Sequence, residues 1–310
     1  MPLVTSAEML QRAYREGYAI GAFNVSSAET IKATVQAAKE TRSPVIIQIL
    51  ENALHAIGLR YFKHLIEAAV EECDLPICVH LDHGSSFEAC KEFIALGFPS
   101  VMIDGSRLPF EENIALTRRV VEFAHDAGAV VEAELGSISG AEGTAKHTEA
   151  SCFTDPAEAA EFVARTGCDS LAISIGTSHG AYKFPAGSNP RLRFDILDAV
   201  AEQIPGVPIV LHGASSVPTD AIRKINLFGG QIADALGVPE DQLHMAAQKA
   251  ICKINMCSDQ LLEMTAVIRE MLAEHPERFD PSQYILPAQA AVQAQIMHKM
   301  TDVLGCAGKA

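Results

Sequence analysis

Short apolar runs that end in a polar residue recur along the chain, separated by stretches with helical spacing. Strands are expected at residues 18–23, 44–50, 76–81, 100–103, 129–133, 170–175, 207–211 and 250–254. Each run is nearly continuous in apolar residues, the signature of a parallel strand covered on both faces. Between them, apolar spacing predicts helices near 1–16, 26–41, 60–73, 86–96, 110–127, 195–203, 220–226 and 242–249. Asp155-Pro156 predicts a further helix start, with Asp at the N-cap and Pro at the first helical position. From residue 259 onward the pattern is helical, with breaks expected at Pro276, Pro281 and Pro287. This alternation predicts an α/β fold, most economically a (β/α)8 TIM barrel with additional C-terminal helices; a doubly wound sheet shares the pattern. Residues 136–154 interrupt the rhythm, being rich in Gly, Ser, Thr and Ala without a period, and are expected to form a lid-like loop.

Composition narrows this picture. The 310 residues are 48% hydrophobic and contain no polar linker, so residues 1–310 are expected to form a single domain. A net charge of -15 argues against a nucleic-acid partner, which needs clustered Lys and Arg against phosphates. No apolar run approaches the roughly 20 residues of a membrane-spanning helix, and no basic-then-apolar leader opens the sequence. A cytoplasmic protein without a membrane partner is therefore expected. The eight cysteines include no Cys-x-x-Cys pair, which favours neither a zinc knuckle nor a dithiol centre.

The candidate chemistry lies at the strand ends, which in a barrel all meet at one mouth. His83, His179 and His212 end the third, sixth and seventh strands, and each is followed by Gly. One such histidine is ordinary, but three neutral imidazoles around an open position make a catalytic zinc site. His80 lies inside its strand and is expected in the core or against a helix. His55, His64, His125, His147, His244, His275 and His298 are expected in solvent. Asp82 precedes His83, and strict alternation would send the two side chains to opposite faces. Both serve one site only if the chain bends, which Gly84 is expected to permit; Asp82 then moves a proton, or alternatively caps the next helix. Asp104 and Glu134 end the fourth and fifth strands and are candidates to orient the histidines, hold a second metal or cap loops. Segments 176–180, 213–216 and 255–258 bring Gly and hydroxyls to the last strand ends, where backbone amides cradle phosphate.

These residues fall in Gly21-Ala22-Phe23-Asn24, His80-Leu81-Asp82-His83-Gly84, Ser100-Val101-Met102-Ile103-Asp104-Gly105-Ser106, Val131-Glu132-Ala133-Glu134-Leu135-Gly136, Gly176-Thr177-Ser178-His179-Gly180, His212-Gly213-Ala214-Ser215-Ser216 and Lys253-Ile254-Asn255. Over nearly its full length, tail included, the chain resembles the class II, metal-dependent ketose-bisphosphate aldolases, the fructose- and tagatose-bisphosphate group. The resemblance implies a lyase of carbohydrate metabolism and glycolysis that reversibly cleaves a ketose phosphate to dihydroxyacetone phosphate and an aldehyde. It implies zinc on His83, His179 and His212, a second divalent position at Asp104 and Glu134, and room for a monovalent cation. It makes Asp82 the acid at the aldehyde-derived oxygen and Glu142 the loop carboxylate that removes the donor ketone's proton. Asn24, Gly180, Gly213, Ala214, Ser215, Asn255 and Ser258 match the dihydroxyacetone-phosphate site, and a homodimer or homotetramer is implied.

Four positions depart from that pattern. Leu50 stands in place of a small hydroxyl residue, Cys257 in place of Asp, Leu261 in place of a basic residue near the acceptor's phosphate, and Gly143 in place of a second lid acid. These departures predict weaker selection for a phosphorylated aldehyde. They keep open a paralogue with an unphosphorylated acceptor and a non-catalytic phosphosugar-binding protein, beside a zinc hydrolase built on the same histidines.

Overall fold

The computed structural model describes residues 3–142, 145–147, 152–185, 187–233 and 235–310, without the side chains of 141–142 and 145–147. Eight of the apolar runs become parallel strands: β1 Ile20–Asn24, β2 Val45–Leu50, β3 Ile77–Gly84, β4 Ser100–Ile103, β5 Val130–Leu135, β6 Ser170–Ile173, β7 Ile209–Leu211 and β8 Ile251–Met256. They pair in chain order, and β8 returns to β1 with Ile20 opposite Lys253, closing a barrel. The doubly wound alternative is thereby excluded.

Helices cover the barrel because each strand's outer face is apolar and needs a partner. They are α1 Ser6–Glu16, α2 Ala28–Thr41, α3 Glu51–Ile57, α4 Leu59–Glu71, α5 Phe87–Ala95, α6 Phe110–Asp126, α7 Pro156–Thr166, α8 Phe194–Gln203, α9 Thr219–Leu227, α10 Glu240–Lys249, α11 Ser258–Glu274 and α12 Ser282–His298. Local chemistry sets several starts. Ser27 and Thr30 form a capping box at α2. The Asp155 carboxylate accepts from the Ala157 and Glu158 amides at α7, as its sequence predicts. Gly17 and Gly167 end α1 and α7 in the left-handed conformation.

Three expectations need correction. Helix α3 was not anticipated, since Leu50 at its N-cap makes no side-chain cap and leaves no start signal. Pro287 does not break α12; the hydrogen bond it forgoes would end on the carbonyl of Gln283, an exposed residue that water can satisfy. The irregular stretch contains a hairpin, Gly140–Glu142 paired antiparallel with Ala145–His147.

The C-terminal segment is tied into the barrel. Helix α12 packs on α2 and α11, and a π-helical turn, Lys299–Val303, follows it. The amides of Gly308 and Ala310 then donate to the carbonyls of Thr41 and Arg42. Six of the cysteines are buried; Cys257 is half-buried and Cys152 exposed.

Candidate active site

Strand β3 carries the centre of the site, and a bulge arranges it. Leu81 pairs with Val101 but Gly84 with Ile103, so three steps on β3 oppose two on β4. The extra residue is absorbed at His83, whose φ is +49°, and Asp82 and His83 consequently reach the same cavity. The bend thus sits at His83 itself and not at Gly84. Glycine is required at 84 for another reason: a Cβ there would lie 2.5 Å from the Met102 carbonyl oxygen and 2.9 Å from Cys90 Sγ.

Two histidines are each held by a carboxylate at one ring nitrogen. His83 Nδ1 donates to Asp104 Oδ2 at 2.8 Å, and the other Asp104 oxygen accepts from the Ser106 amide and hydroxyl. His212 Nε2 donates to Glu132 Oε1 at 2.7 Å. The remaining nitrogens, His83 Nε2 and His212 Nδ1, lie 2.9 Å apart, with Asn255 Nδ2 3.1 Å from the latter. That is an arrangement a shared cation satisfies. The His179 ring lies 4.9 Å from that of His83, and the His179 amide is fixed by the Ser139 carbonyl. Donor atoms of Asp82, His83 and His212, and of His83, Glu134 and His179, lie within 4.8 Å of one another.

The electrostatics agree with ligation. Burial, with His83 beside it, holds His212 well below the usual imidazole range, so it stands as the neutral ring a metal requires. Burial works to raise the Asp104 carboxyl, but the hydrogen bonds from His83 and from the Ser106 hydroxyl and amide hold it far below its ordinary value. Burial and the Asp104 charge push Glu134 well above, and its Oε2 is buried with no hydrogen-bond partner. This mixed nitrogen and oxygen donor set suits a borderline cation such as zinc.

Asp82 is fixed by amides. Its Oδ2 accepts from Asn24 Nδ2 at 2.7 Å and from Gln48 Nε2 at 3.3 Å, while Oδ1 accepts from Asn255 Nδ2 at 3.0 Å. It does not cap α5, where Ser86 serves as N-cap. Asp82 Oδ1 lies 4.0 Å from His83 Nε2.

The small-residue loops pack backbone to backbone. Gly213 has φ +60°, and a Cβ there would meet the Ser178 carbonyl oxygen at 2.8 Å. Ser215 Oγ accepts from the amides of Cys257 and Ser258, joining the β7 and β8 loops. Asn24, Gly180, Gly213, Ser215, Asn255 and Ser258 line a cavity of about 460 Å³; Ala214, Asp104 and Glu134 are not part of its lining. The Glu142 and His147 side chains and all of Gly143 lie outside the described residues. At the base of that hairpin Gly140 bridges to His179. His80 is buried in the barrel as expected, 2.7 Å from Ser100 Oγ. Of the histidines expected in solvent, His244 and His275 are half-buried, and His244 contacts the Val303 carbonyl.

Several residues escaped the sequence reading. Lys183 is buried in the cavity wall and donates to the Ser178 and Gly213 carbonyls. Glu132 is held by buried Lys253 at 2.9 Å. Asp259 accepts from the Ser216 and Val217 amides and pairs with Lys299, fixing the β7 loop from behind. Strand parity was the available signal for Glu132, since it lies two residues before Glu134 and so shares its face.

The chain matches the family described as "Fructose-bisphosphate aldolase class-II" over residues 4–309. It is 45% identical to a protein named fructose-bisphosphate aldolase from Treponema pallidum (strain Nichols), covering 99% of this chain and 98% of that one. It is likewise 45% identical to one of the same name from Giardia intestinalis, covering 100% and 95%. Among solved structures, the YdjI aldolase from Escherichia coli K12 superposes with a TM-score of 0.80 at 30% identity, covering all of both chains.

Proposed function

The chain belongs to the class-II fructose-bisphosphate aldolase family, whose members are metal-dependent lyases, and from that premise we propose how its own residues divide the work. The reaction is the reversible aldol cleavage of a ketose phosphate to dihydroxyacetone phosphate and an aldehyde. His83, His179 and His212 hold a zinc ion, and Glu134 with Asp104 offers a second position. The observation that carries this is the facing pair His83 Nε2 and His212 Nδ1, each ring oriented from behind by a carboxylate. A divalent ion held there supplies Lewis-acid chemistry at a ketone carbonyl and so acidifies the neighbouring C–H.

The protein's groups do the rest. Asp82, immobilised by Asn24 and Asn255, passes a proton to and from the oxygen that becomes the aldehyde's. Glu142 takes the donor ketone's proton. The Gly213 to Ser215 loop, Gly180, Ser258 and the Lys183 ammonium receive the donor phosphate, amides and one cation replacing its water. We further propose that residues 1–310 act as one domain, in the cytoplasm, as a homodimer or homotetramer.

Chelation should abolish cleavage of a ketose phosphate, and zinc should restore it. Asp82→Ala should retain its metal yet lose roughly 10²- to 10⁴-fold in turnover, the usual worth of a positioned acid or base. Near-parental turnover with metal in place would remove Asp82 from the mechanism.

A further inference from the structure

The cavity has two unlike halves. Towards the β6 and β7 loops it carries Lys183, Ser215 and Gly213, the groups that suit a phosphate. The second part of the lining, from the end of β2, α3 and the start of α11, comprises Leu50, Ala53, Cys257, Leu261, Leu262 and Thr265. Among the described residues lining the cavity Lys183 is the one cation, and its Nζ is directed to the carbonyls of Ser178 and Gly213, on the first side. Among the described residues, nothing charged on that second part of the lining would compensate a dianion that gave up its water there.

That part of the lining also leaves a large apolar group uncovered: Leu261 is 45% exposed although it lines the cavity. Apolar surface gathered at the mouth of a binding site is surface that a ligand covers. Resting on the aldolase reading above, we propose that the aldehyde half of the substrate is unphosphorylated and uncharged, packing against Leu50, Leu261 and Leu262. The sugar cleaved is then a ketose 1-phosphate, with its single phosphate on the dihydroxyacetone side. Thr265 and Asn52, both in the lining, are placed to take hydroxyl groups of that half.

The test separates the two halves of the reaction. Exchange of the dihydroxyacetone phosphate C–H with deuterium from D2O needs no aldehyde and reports donor chemistry alone. On the same zinc-loaded protein, addition to dihydroxyacetone phosphate is then measured with glyceraldehyde, propanal and glyceraldehyde 3-phosphate. The expected result is exchange, with kcat/KM for glyceraldehyde equal to or above that for the phosphorylated aldehyde. In Leu261→Arg the ratio should move towards the phosphorylated aldehyde by roughly 10- to 100-fold, the effect of one charge-assisted phosphate contact. Exchange accompanied by a parental preference of more than about tenfold for glyceraldehyde 3-phosphate would overturn the proposal and leave the aldolase reading intact. Absence of exchange would instead overturn the aldolase reading itself, and the acceptor assignment with it. If Leu261→Arg fails to fold, the parental ratio decides alone.

Discussion

Replacing Lys253 by Met should destabilise the protein far more than its shape change implies. The ammonium lies 2.9 and 3.1 Å from the two Glu132 oxygens, and the side chains are 0% and 2% exposed. Met fills similar volume, so little packing is lost. What remains is a carboxylate inside the barrel with one strong donor, His212 Nε2 at 2.7 Å, and no compensating charge. Breaking a buried pair from one side typically costs about 3–5 kcal/mol, a large part of the roughly 5–15 kcal/mol that stabilises a domain. Removing both charges in Lys253→Met/Glu132→Gln should recover most of it, because Gln keeps an oxygen to accept from His212. Equilibrium urea unfolding followed by circular dichroism, on metal-free protein, measures both. A cost below about 1 kcal/mol for the single variant, or a double variant less stable than the single, would refute this account of the barrel interior.

Two further predictions concern the base of the hairpin and the pH response. Gly140 has φ +109°, and a Cβ would run into the His179 carbonyl oxygen, so Gly140→Ala should lower both the thermal midpoint and the zinc content. Gly97→Ala, at φ +94° in open space, isolates the backbone strain of about 1–3 kcal/mol and should leave metal untouched. Burial, with Lys253 nearby, holds His80 well below the usual imidazole range, so it stays neutral when folded and takes a proton once unfolded. Its contribution is complete above the unfolded value near ~6.5 and is lost as pH falls below it, at up to about 1.4 kcal/mol per unit. Urea midpoints from neutral to mildly acidic pH should therefore fall less steeply in His80→Gln, and an unchanged slope would contradict the assignment.

What the sequence disclosed, and what it hid, follows from where information resides in a barrel. Strands such as 45–50 were legible because both faces are covered and the run is continuously apolar. The site was legible because polar residues at Asp82, His83, Asp104, His179 and His212 interrupt those runs at equivalent places. The supporting groups were not. Lys253 lies inside an apolar run, where nothing local announces that its charge meets Glu132 across the barrel. Asp259 and Lys299 pair from α11 and the π-helical turn, a contact only the tertiary fold creates. The bend that aims His83 was expected at Gly84 and falls at His83, since a positive φ is expected of glycine before histidine.

The central claim is that His83, His179 and His212 together hold the metal. It is tested most directly by zinc affinity, measured in competition with a chromophoric chelator, for the metal-free parent and for each single His→Ala variant. Circular dichroism in the same samples checks the fold. The account predicts one tightly bound zinc per parental chain, and in every variant a loss beyond the roughly 10- to 100-fold that removing a mere supporting group produces. A folded variant of any of the three that bound zinc as tightly as the parent would contradict it.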